Sequence, residues 1–221
     1  MKRIEPAQLD TLLDNAKTIE EDGLGIKVAQ LQGGEFLKLY RRKRLLSSDL
    51  WDLPAQRFAD NANGLLRLGI TAPTVLEVLI INERRLSAVR YQPLPGDTLR
   101  NHLRKSTPEE RSRDVMRFGT FLGELHESGV YFRSLHLGNV LLLPDGCFGL
   151  IDLSDMKLER NALAPWKRRR NLQHILRYAE DIGWLTEQHR EEWVAGYRKS
   201  VSPRSGERFS LDVGKWLATR R

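Results

Sequence analysis

The segment from Phe132 to Asp152 restricts the possible folds more than any other part of the sequence. It contains a polar loop that ends at Asn139, followed by two short apolar runs on either side of a Pro-Asp-Gly turn. Short apolar runs joined by such turn residues predict a β-hairpin. The hairpin would present Asn139 and Asp152 at one end, facing the same cleft. Their amide and carboxylate oxygens suit Mg²⁺, which keeps several waters and takes few protein ligands.

Hydrophobic spacing and turn residues predict a strand-rich first part and a mainly helical second part. In the first part the predicted elements are an amphipathic helix in residues 1–17, a hairpin at 26–41, a helix at 49–68 and a strand pair at 74–94. In the second part they are a short helix from Gly96 to Leu103, the clearest helix from Pro108 to Ser128, and helices from Arg168 onward. The helices from Arg168 onward carry one apolar stripe of Leu172, Ile175, Leu176 and Ala179. This order predicts an α+β fold in two lobes of a single unit, about residues 1–92 and 93–221, with a hinge at 90–96.

Composition and cysteine content exclude several classes of protein. At 221 residues the chain suffices for one domain or one two-lobed unit, and it has no run of about 18 apolar residues to span a membrane. Residues 1–17 lack the apolar core of a secretory signal. Cys147 is the only cysteine, which excludes an intramolecular disulfide and a cysteine-based metal site. We expect Cys147 to be a small apolar residue on a strand, in a protein of the reducing cytoplasm.

The net charge of +7 is unevenly spread, with basic blocks at Arg41–Arg44 and Lys167–Arg170. Such blocks are often solvated ends of helices and strands. They also suit an anionic substrate or an anionic membrane surface. Nucleic acid is not expected as a partner, because the sequence has no aromatic-basic interleaving and no recognised nucleic-acid motif.

The loop and hairpin resemble the catalytic loop and metal-binding strand of protein-kinase-like enzymes, which read H-R-D-L-x-x-x-N and D-F-G. The corresponding residues here are Phe132-Arg133-Ser134-Leu135, Asn139 and Asp152-Leu153-Ser154. More closely, the stretch LHESGVYFRSLHLGNVLL looks like the small bacterial kinases that phosphorylate heptose or 3-deoxy-octulosonate in the lipopolysaccharide core. The resemblance extends over residues 23–178. It implies a two-lobed protein-kinase-like fold, with a small strand-rich N-lobe and a reduced helical C-lobe, that uses ATP and Mg²⁺.

The resemblance assigns a nucleotide side to the first lobe. Lys38, on the third strand, matches the phosphate-pairing lysine of V-A-I-K, although a solvated strand lysine is the rival interpretation. Gly23 and Gly25 match a shortened glycine-rich loop, and such glycines also fit any tight turn. Asn61 falls where a glutamate partner of the lysine is expected, so either Asn61 holds Lys38 by a hydrogen bond or the lysine is freer than usual. Tyr91 is assigned to the nucleotide site as well.

The resemblance assigns the metal and the acceptor to the second half. Asn139 and Asp152 would hold Mg²⁺, and Asp152 also counts as catalytic. Ser134 replaces the aspartate that orients the attacking hydroxyl, and a neutral serine can hydrogen-bond but cannot act as a carboxylate base. His136 could supply a cation near the transferred phosphate or part of the missing base role, or could anchor the loop through a backbone hydrogen bond.

Three functions remain open on the sequence. The first is an ATP-dependent kinase whose acceptor is an anionic glycolipid or core oligosaccharide, in the cytoplasm or at the inner face of the cytoplasmic membrane. The second is a pseudokinase, a binding or regulatory module with the same fold, which Ser134, Asn61 and Phe36 favour. Phe36 would lie over the nucleotide base, where it could stack or block. The third, a nucleic-acid-binding protein, accounts only for the charge.

Overall fold

A computed structural model of the chain describes residues 1–41 and 53–218 as a mixed α+β protein. Its strands are β1 (Lys2–Arg3), β2 (Lys17–Asp22), β3 (Gly25–Gln30), β4 (Phe36–Arg41), β5 (Thr74–Ile81), β6 (Leu86–Gln92), β7 (Asp97–Thr98), β8 (Val130–Phe132), β9 (Val140–Leu142), β10 (Phe148–Leu150) and β11 (Met156–Leu158). Its α-helices are α1 (Pro6–Leu13), α2 (Pro54–Arg67), α3 (Leu99–Lys105), α4 (Pro108–Glu127), α5 (Pro165–Ile175), α6 (Ala179–Ile182), α7 (Arg190–Arg198) and α8 (Pro203–Ala218).

The chain divides into two compact units, the first of which comprises Met1–Leu94 and Asp152–Asp155. Its six-stranded sheet has the order β1-β5-β6-β4-β3-β2, and all pairs are antiparallel except β1 with β5. Side chains alternate between the two faces of a strand. On β4, Leu37 and Leu39 therefore enter the apolar core with Leu9 of α1, while Phe36, Lys38 and Tyr40 share the other face.

The second unit comprises Pro95–Ile151 and Met156–Arg221, described here to residue 218. Helices α4 and α7 are its most extensively packed pair. They approach closely because Gly196 presents no side chain: a Cβ there would lie 1.9 Å from the carbonyl oxygen of Met116. Strands β9 and β10 form the hairpin, to which β7 adds a third strand, and β8 pairs with β11.

Gly129 lies between the end of α4 and the start of β8, the strand that leads into the loop before β9. Its φ is +75°, a region that L residues with side chains rarely adopt, and a Cβ there would lie 2.4 Å from the carbonyl oxygen of Glu159. Thr107 is the N-cap residue of the helix, and its side chain forms a capping box with Glu110. The predicted helix from Pro108 to Ser128 is thus confirmed to within one residue.

The hairpins at 26–41, 74–94 and 139–152 are also confirmed. Two predicted element boundaries were wrong. Lys2 and Arg3 form a strand beside β5 rather than the start of a helix. Asp97 and Thr98 pair with β9, so that α3 starts later than predicted. Residues 49–52 of the predicted helix lie outside the described part.

The predicted apolar stripe and the environment of Cys147 also differ from the sequence-based expectation. The chain turns between α5 and α6, so Ala179 is exposed while Leu172, Ile175 and Leu176 are buried. Cys147 is an exposed free cysteine in the turn before β10 rather than an apolar strand residue. Among the described residues, no helix is both long and apolar enough to cross a bilayer.

Candidate functional site

Lys38 and Asp152 form an ion pair in the first unit, although 114 positions separate them in the sequence. The Lys38 ammonium donates to Oδ1 of Asp152 at 2.7 Å. The lysine side chain is 14% exposed and the aspartate side chain 43%, so the carboxylate remains open to solvent. Lys38 is held by β4, where it lies opposite Val28 and Val89. The suggestion of an unusually free lysine is therefore wrong, and its carboxylate partner is Asp152.

Asp152 has a left-handed backbone, with φ of +59°. Aspartate tolerates this conformation better than most residues, but it still costs energy and recurs at functional sites. The conformation belongs to the turn that carries the following residues, Leu153–Asp155, as a short 3₁₀ segment. The turn presents the Asp152 carboxylate to Lys38.

Helix α2 holds this turn from the other side. The Asn61 amide donates to the Leu153 carbonyl oxygen at 2.8 Å, and Nε of Arg57 donates to the Ser154 carbonyl oxygen at 3.0 Å. Asn61 is 8% exposed, so this bond provides a hydrogen-bond partner for a buried amide group. The sequence assigned Asn61 to the lysine, and the hydrogen bond to Leu153 fixes the backbone one residue after Asp152.

Two tyrosines lie on the same side of the sheet. Tyr91 is buried between Phe36, in an edge contact at 5.9 Å, and Phe58 of α2 at 5.1 Å. If Tyr91 contacts the nucleotide as assigned, it does so as a buried side chain packed against Phe36 and Phe58. The Tyr40 ring centroid lies 5.8 Å from the Lys38 ammonium, a neighbour that sequence analysis missed although residues two apart on a strand share a face. Burial, reinforced by the Asp152 charge, raises the pKa of both phenols, which therefore remain neutral.

Gly23 and Gly25 belong to the tight turn between β2 and β3. Gly25 pairs with Asp22 and has φ of +112°, which explains the glycine there. Space around Gly23 is open. Arg41 reaches across from β4, donating to the Leu24 carbonyl oxygen and, at 3.3 Å, to the Asp22 carboxylate. The turn is accordingly held by a cation of the first basic block.

The second unit carries the loop between β8 and β9. The Asn139 amide nitrogen donates to the Ser134 carbonyl oxygen at 2.9 Å, and the Asn139 carbonyl oxygen accepts from the Ile151 N–H at 3.1 Å. Asn139 is thereby fixed to both the loop and the second strand of the hairpin. The Ser134 side chain is half-buried.

His136 caps the 3₁₀ turn of this loop. Its Nδ1 accepts from the Gly138 N–H at 3.0 Å, and the Arg100 guanidinium lies 3.4 Å from the same nitrogen. An imidazolium has no acceptor nitrogen, so this anchoring bond and a cationic role exclude each other at any one moment. The geometry favours the loop-anchoring interpretation. The ring also meets Tyr178 edge-on at 4.9 Å.

Asp181, which sequence analysis did not single out, anchors the loop through a hydrogen bond to its backbone. It is fully buried and accepts from Nε and Nη2 of Arg100, each at 2.8 Å, and from the Leu137 N–H at 3.2 Å. The carboxylate holds the pKa of Arg100 above its usual value. Asn171 of α5, likewise fully buried, donates to the Phe132 carbonyl oxygen. No local pattern marks these residues, because each lies about 40 positions from the loop or strand residue that it bonds.

The two basic blocks have different environments. Of the first, only Arg41 lies within the described residues. In the second, Lys167 pairs with Glu159 and Arg168 pairs with Glu127 at 2.9 Å, whereas Arg169 and Arg170 are exposed.

No protein-family model matches the chain, and no curated protein matches it. Within the described residues, no cluster of three or more His, Cys, Asp or Glu side chains is arranged to hold a metal ion.

Proposed function

We propose that this chain is an ATP-dependent phosphotransferase with a two-lobed protein-kinase-like fold, acting on a sugar hydroxyl of the lipopolysaccharide core. The observation that carries the proposal is the 2.7 Å pair between Lys38 and Asp152. The resemblance gives these two residues phosphate and metal roles from separate motifs, and such roles require their proximity. Two charged residues without such roles, one on a strand and one on a turn 114 positions away, would have no reason to lie close together.

In this proposal the magnesium ligands are Asp152 and Asn139, whose oxygens are of the type that magnesium favours. Oδ1 of Asp152 is paired with Lys38, while its Oδ2 has no hydrogen bond among the described residues. The Asn139 amide donates through nitrogen to Ser134, which leaves its oxygen as the acceptor end. Magnesium favours one or two protein oxygens together with water and phosphate oxygens. When bound, the ion would neutralise charge on the phosphates.

The protein's own groups have separate tasks in this proposal. Lys38 would donate to phosphate oxygens, and Asn61 would keep the turn after Asp152 in place. Ser134 would hydrogen-bond the acceptor hydroxyl without removing its proton. Loss of a carboxylate base costs about 10²–10⁴-fold in rate by the usual magnitude of general base catalysis. Slow transfer is therefore expected, since positioning and charge carry most of phosphoryl-transfer catalysis.

Nucleotide binding is the first test. At a concentration of Mg²⁺-ATP 100 times the Kd, binding stabilises the folded chain by about 2.7 kcal/mol, a rise in Tm of roughly 5–10 °C. Lys38→Met and Asp152→Ala should abolish the rise, and Lys17→Ala, on an exposed strand of the same sheet, should retain it. No rise in the wild type, with either Mg²⁺ or Mn²⁺, would refute the proposal.

Transfer of labelled phosphate to core oligosaccharide is the second test. Asp152→Ala should remove the transfer, and Ser134→Asp should raise the rate if the base position is correctly aligned. Activity that survived Asp152→Ala would show that the metal site is misplaced.

A pseudokinase is the second candidate. It is favoured by Ser134 in the loop and by Asn61, whose amide bonds backbone where a glutamate would pair with Lys38. Nucleotide-dependent stabilisation without transfer to any core oligosaccharide, in both the wild type and Ser134→Asp, would select this function.

A further inference from the structure

Helices α5 and α8 enclose a groove on the second unit, away from the residues assigned above. It consists of two adjoining cavities of about 110 and 400 Å³. Both cavities are lined by Pro165 and Arg169 of α5 and by Arg208 and Asp212 of α8. The larger one is open to the surface at Trp166 and Leu211.

Two large apolar side chains are exposed at the rim of the groove. The Trp166 and Leu211 residues are 61% and 63% exposed, whereas Trp184 and Trp193 of the same unit are 7% and 0% exposed. Single exposed apolar residues are common on proteins, but here a tryptophan and a leucine line one cavity together with cations. Tryptophan with an apolar body and a polar N–H is the residue type that suits a membrane–water interface.

The walls of the groove carry strong positive charge. Helix α5 has four Lys and Arg residues and no acidic residue, and α8 has three Lys and Arg residues and two acidic ones. Arg169 and Arg208 are exposed and make no ion pair or hydrogen bond with the described residues. Asp212, half-buried, is the sole carboxylate among the described lining residues, and cations on both helices outnumber it.

We propose that this groove docks the chain on an anionic phospholipid bilayer. Trp166 and Leu211 would enter the boundary between headgroups and acyl chains, and Arg169 and Arg208 would lie at the lipid phosphates. An amphipathic surface with cations beside apolar side chains binds bilayers through burial of its apolar area and through electrostatic attraction to anionic lipids. Charge complementarity selects an anionic surface. The proposal is independent of phosphotransfer, because an inactive chain would dock equally well.

One ring contact connects the rim of the groove to the strand that precedes the loop with Ser134. The Trp166 ring meets Tyr131 at 6.3 Å, and Tyr131 belongs to β8, which leads directly into that loop. Docking through Trp166 would therefore bring the strand before the loop close to the lipid surface.

Vesicle sedimentation tests the proposal with the full chain. Vesicles with phosphatidylglycerol should bind it, and vesicles of phosphatidylcholine alone should not. Each cation near an anionic surface contributes about fivefold in affinity, so Arg169→Ala/Arg208→Ala should weaken binding about 30-fold. Lys17→Ala/Arg67→Ala removes the same charge from exposed sites and should weaken binding less than threefold, because neither residue lines the groove.

Fluorescence reports on the apolar part of the same surface. Bound vesicles should shift the emission of the wild type to shorter wavelength, and Trp166→Phe should remove that shift. Leu211→Ser should weaken binding without changing the melting temperature, since Leu211 is exposed.

Three results would overturn the proposal. The first is an absence of binding to phosphatidylglycerol vesicles at low salt. The second is an equal loss of affinity in the two double variants. The third is a concentration-dependent dimer that Leu211→Ser abolishes while vesicle binding is unchanged, because a second copy would then occupy the groove.

Discussion

Removal of the Arg100 side chain should destabilise the protein severely, because it leaves the fully buried Asp181 carboxylate with one of its three hydrogen bonds. A buried charge that loses its partner costs about 3–5 kcal/mol. For a chain of this length each kcal/mol lowers Tm by roughly 2–4 °C, so Arg100→Ala should lower Tm by roughly 6–20 °C.

A matched control lies one turn along the same helix. Arg104 donates to Glu180 in the same two-pronged geometry, at 2.7 and 2.6 Å, but its side chain is 51% exposed and that of Glu180 is 35% exposed. Exposed pairs contribute about 0–1 kcal/mol. Arg104→Ala should therefore lower the free energy of unfolding by less than about 1 kcal/mol.

Urea unfolding at pH 7 measures both variants. Hydrogen exchange adds a local readout, since Arg100→Ala should speed exchange of the Leu137 amide, which bonds the same carboxylate. Equal losses of stability in the two variants would refute the reasoning, because burial is the property in which the two pairs differ most. Unchanged exchange at Leu137 would show that Asp181 does not hold the loop.

Three further predictions concern the second unit. Burial lowers the pKa of His126 from 6.5 to about 3, so the unfolded chain takes up a proton at a higher pH than the folded chain. The free energy of unfolding therefore falls as the pH drops below 6.5, by about 2 kcal/mol at pH 5. His126→Asn should reduce the difference between urea unfolding at pH 7 and at pH 5, and an unchanged difference would contradict this. Thr107→Ala should cost about 1 kcal/mol in thermal unfolding through loss of the α4 cap, whereas Thr107→Ser should be near neutral. Gly196→Ala should cost about 3 kcal/mol, because its Cβ would overlap the Met116 carbonyl; a fully stable variant would show that α4 and α7 can separate at no cost.

Much of the local structure is encoded within short windows. The turn at Gly33-Gly34 and the apolar runs beside it suffice for the β3–β4 hairpin, and the Pro-Asp-Gly turn suffices for β9–β10. Helix α4 follows from its apolar spacing and its capping box. Where prediction failed, tertiary pairing overrode the local signal: β1 and β7 are two-residue strands that exist only beside β5 and β9.

The candidate site divides in the same way. Motif positions identified Lys38, Asn139 and Asp152, and the pairing of Lys38 with Asp152 joins two of them. The partners of Asn61 and the loop-anchoring role of Asp181 were beyond sequence reasoning, since hydrogen bonds between residues 40 to 90 positions apart leave no periodicity.

The sequence by itself determined the α+β order of elements and the residue types at the loop from Phe132 to Asp152, because turns and hydrophobic periodicity act over a few residues. The tertiary structure alone decided which side chains fix that loop. Its buried carboxylate at Asp181 is tolerable only where Arg100 and a backbone N–H converge on it, and that convergence depends on the packing of distant segments.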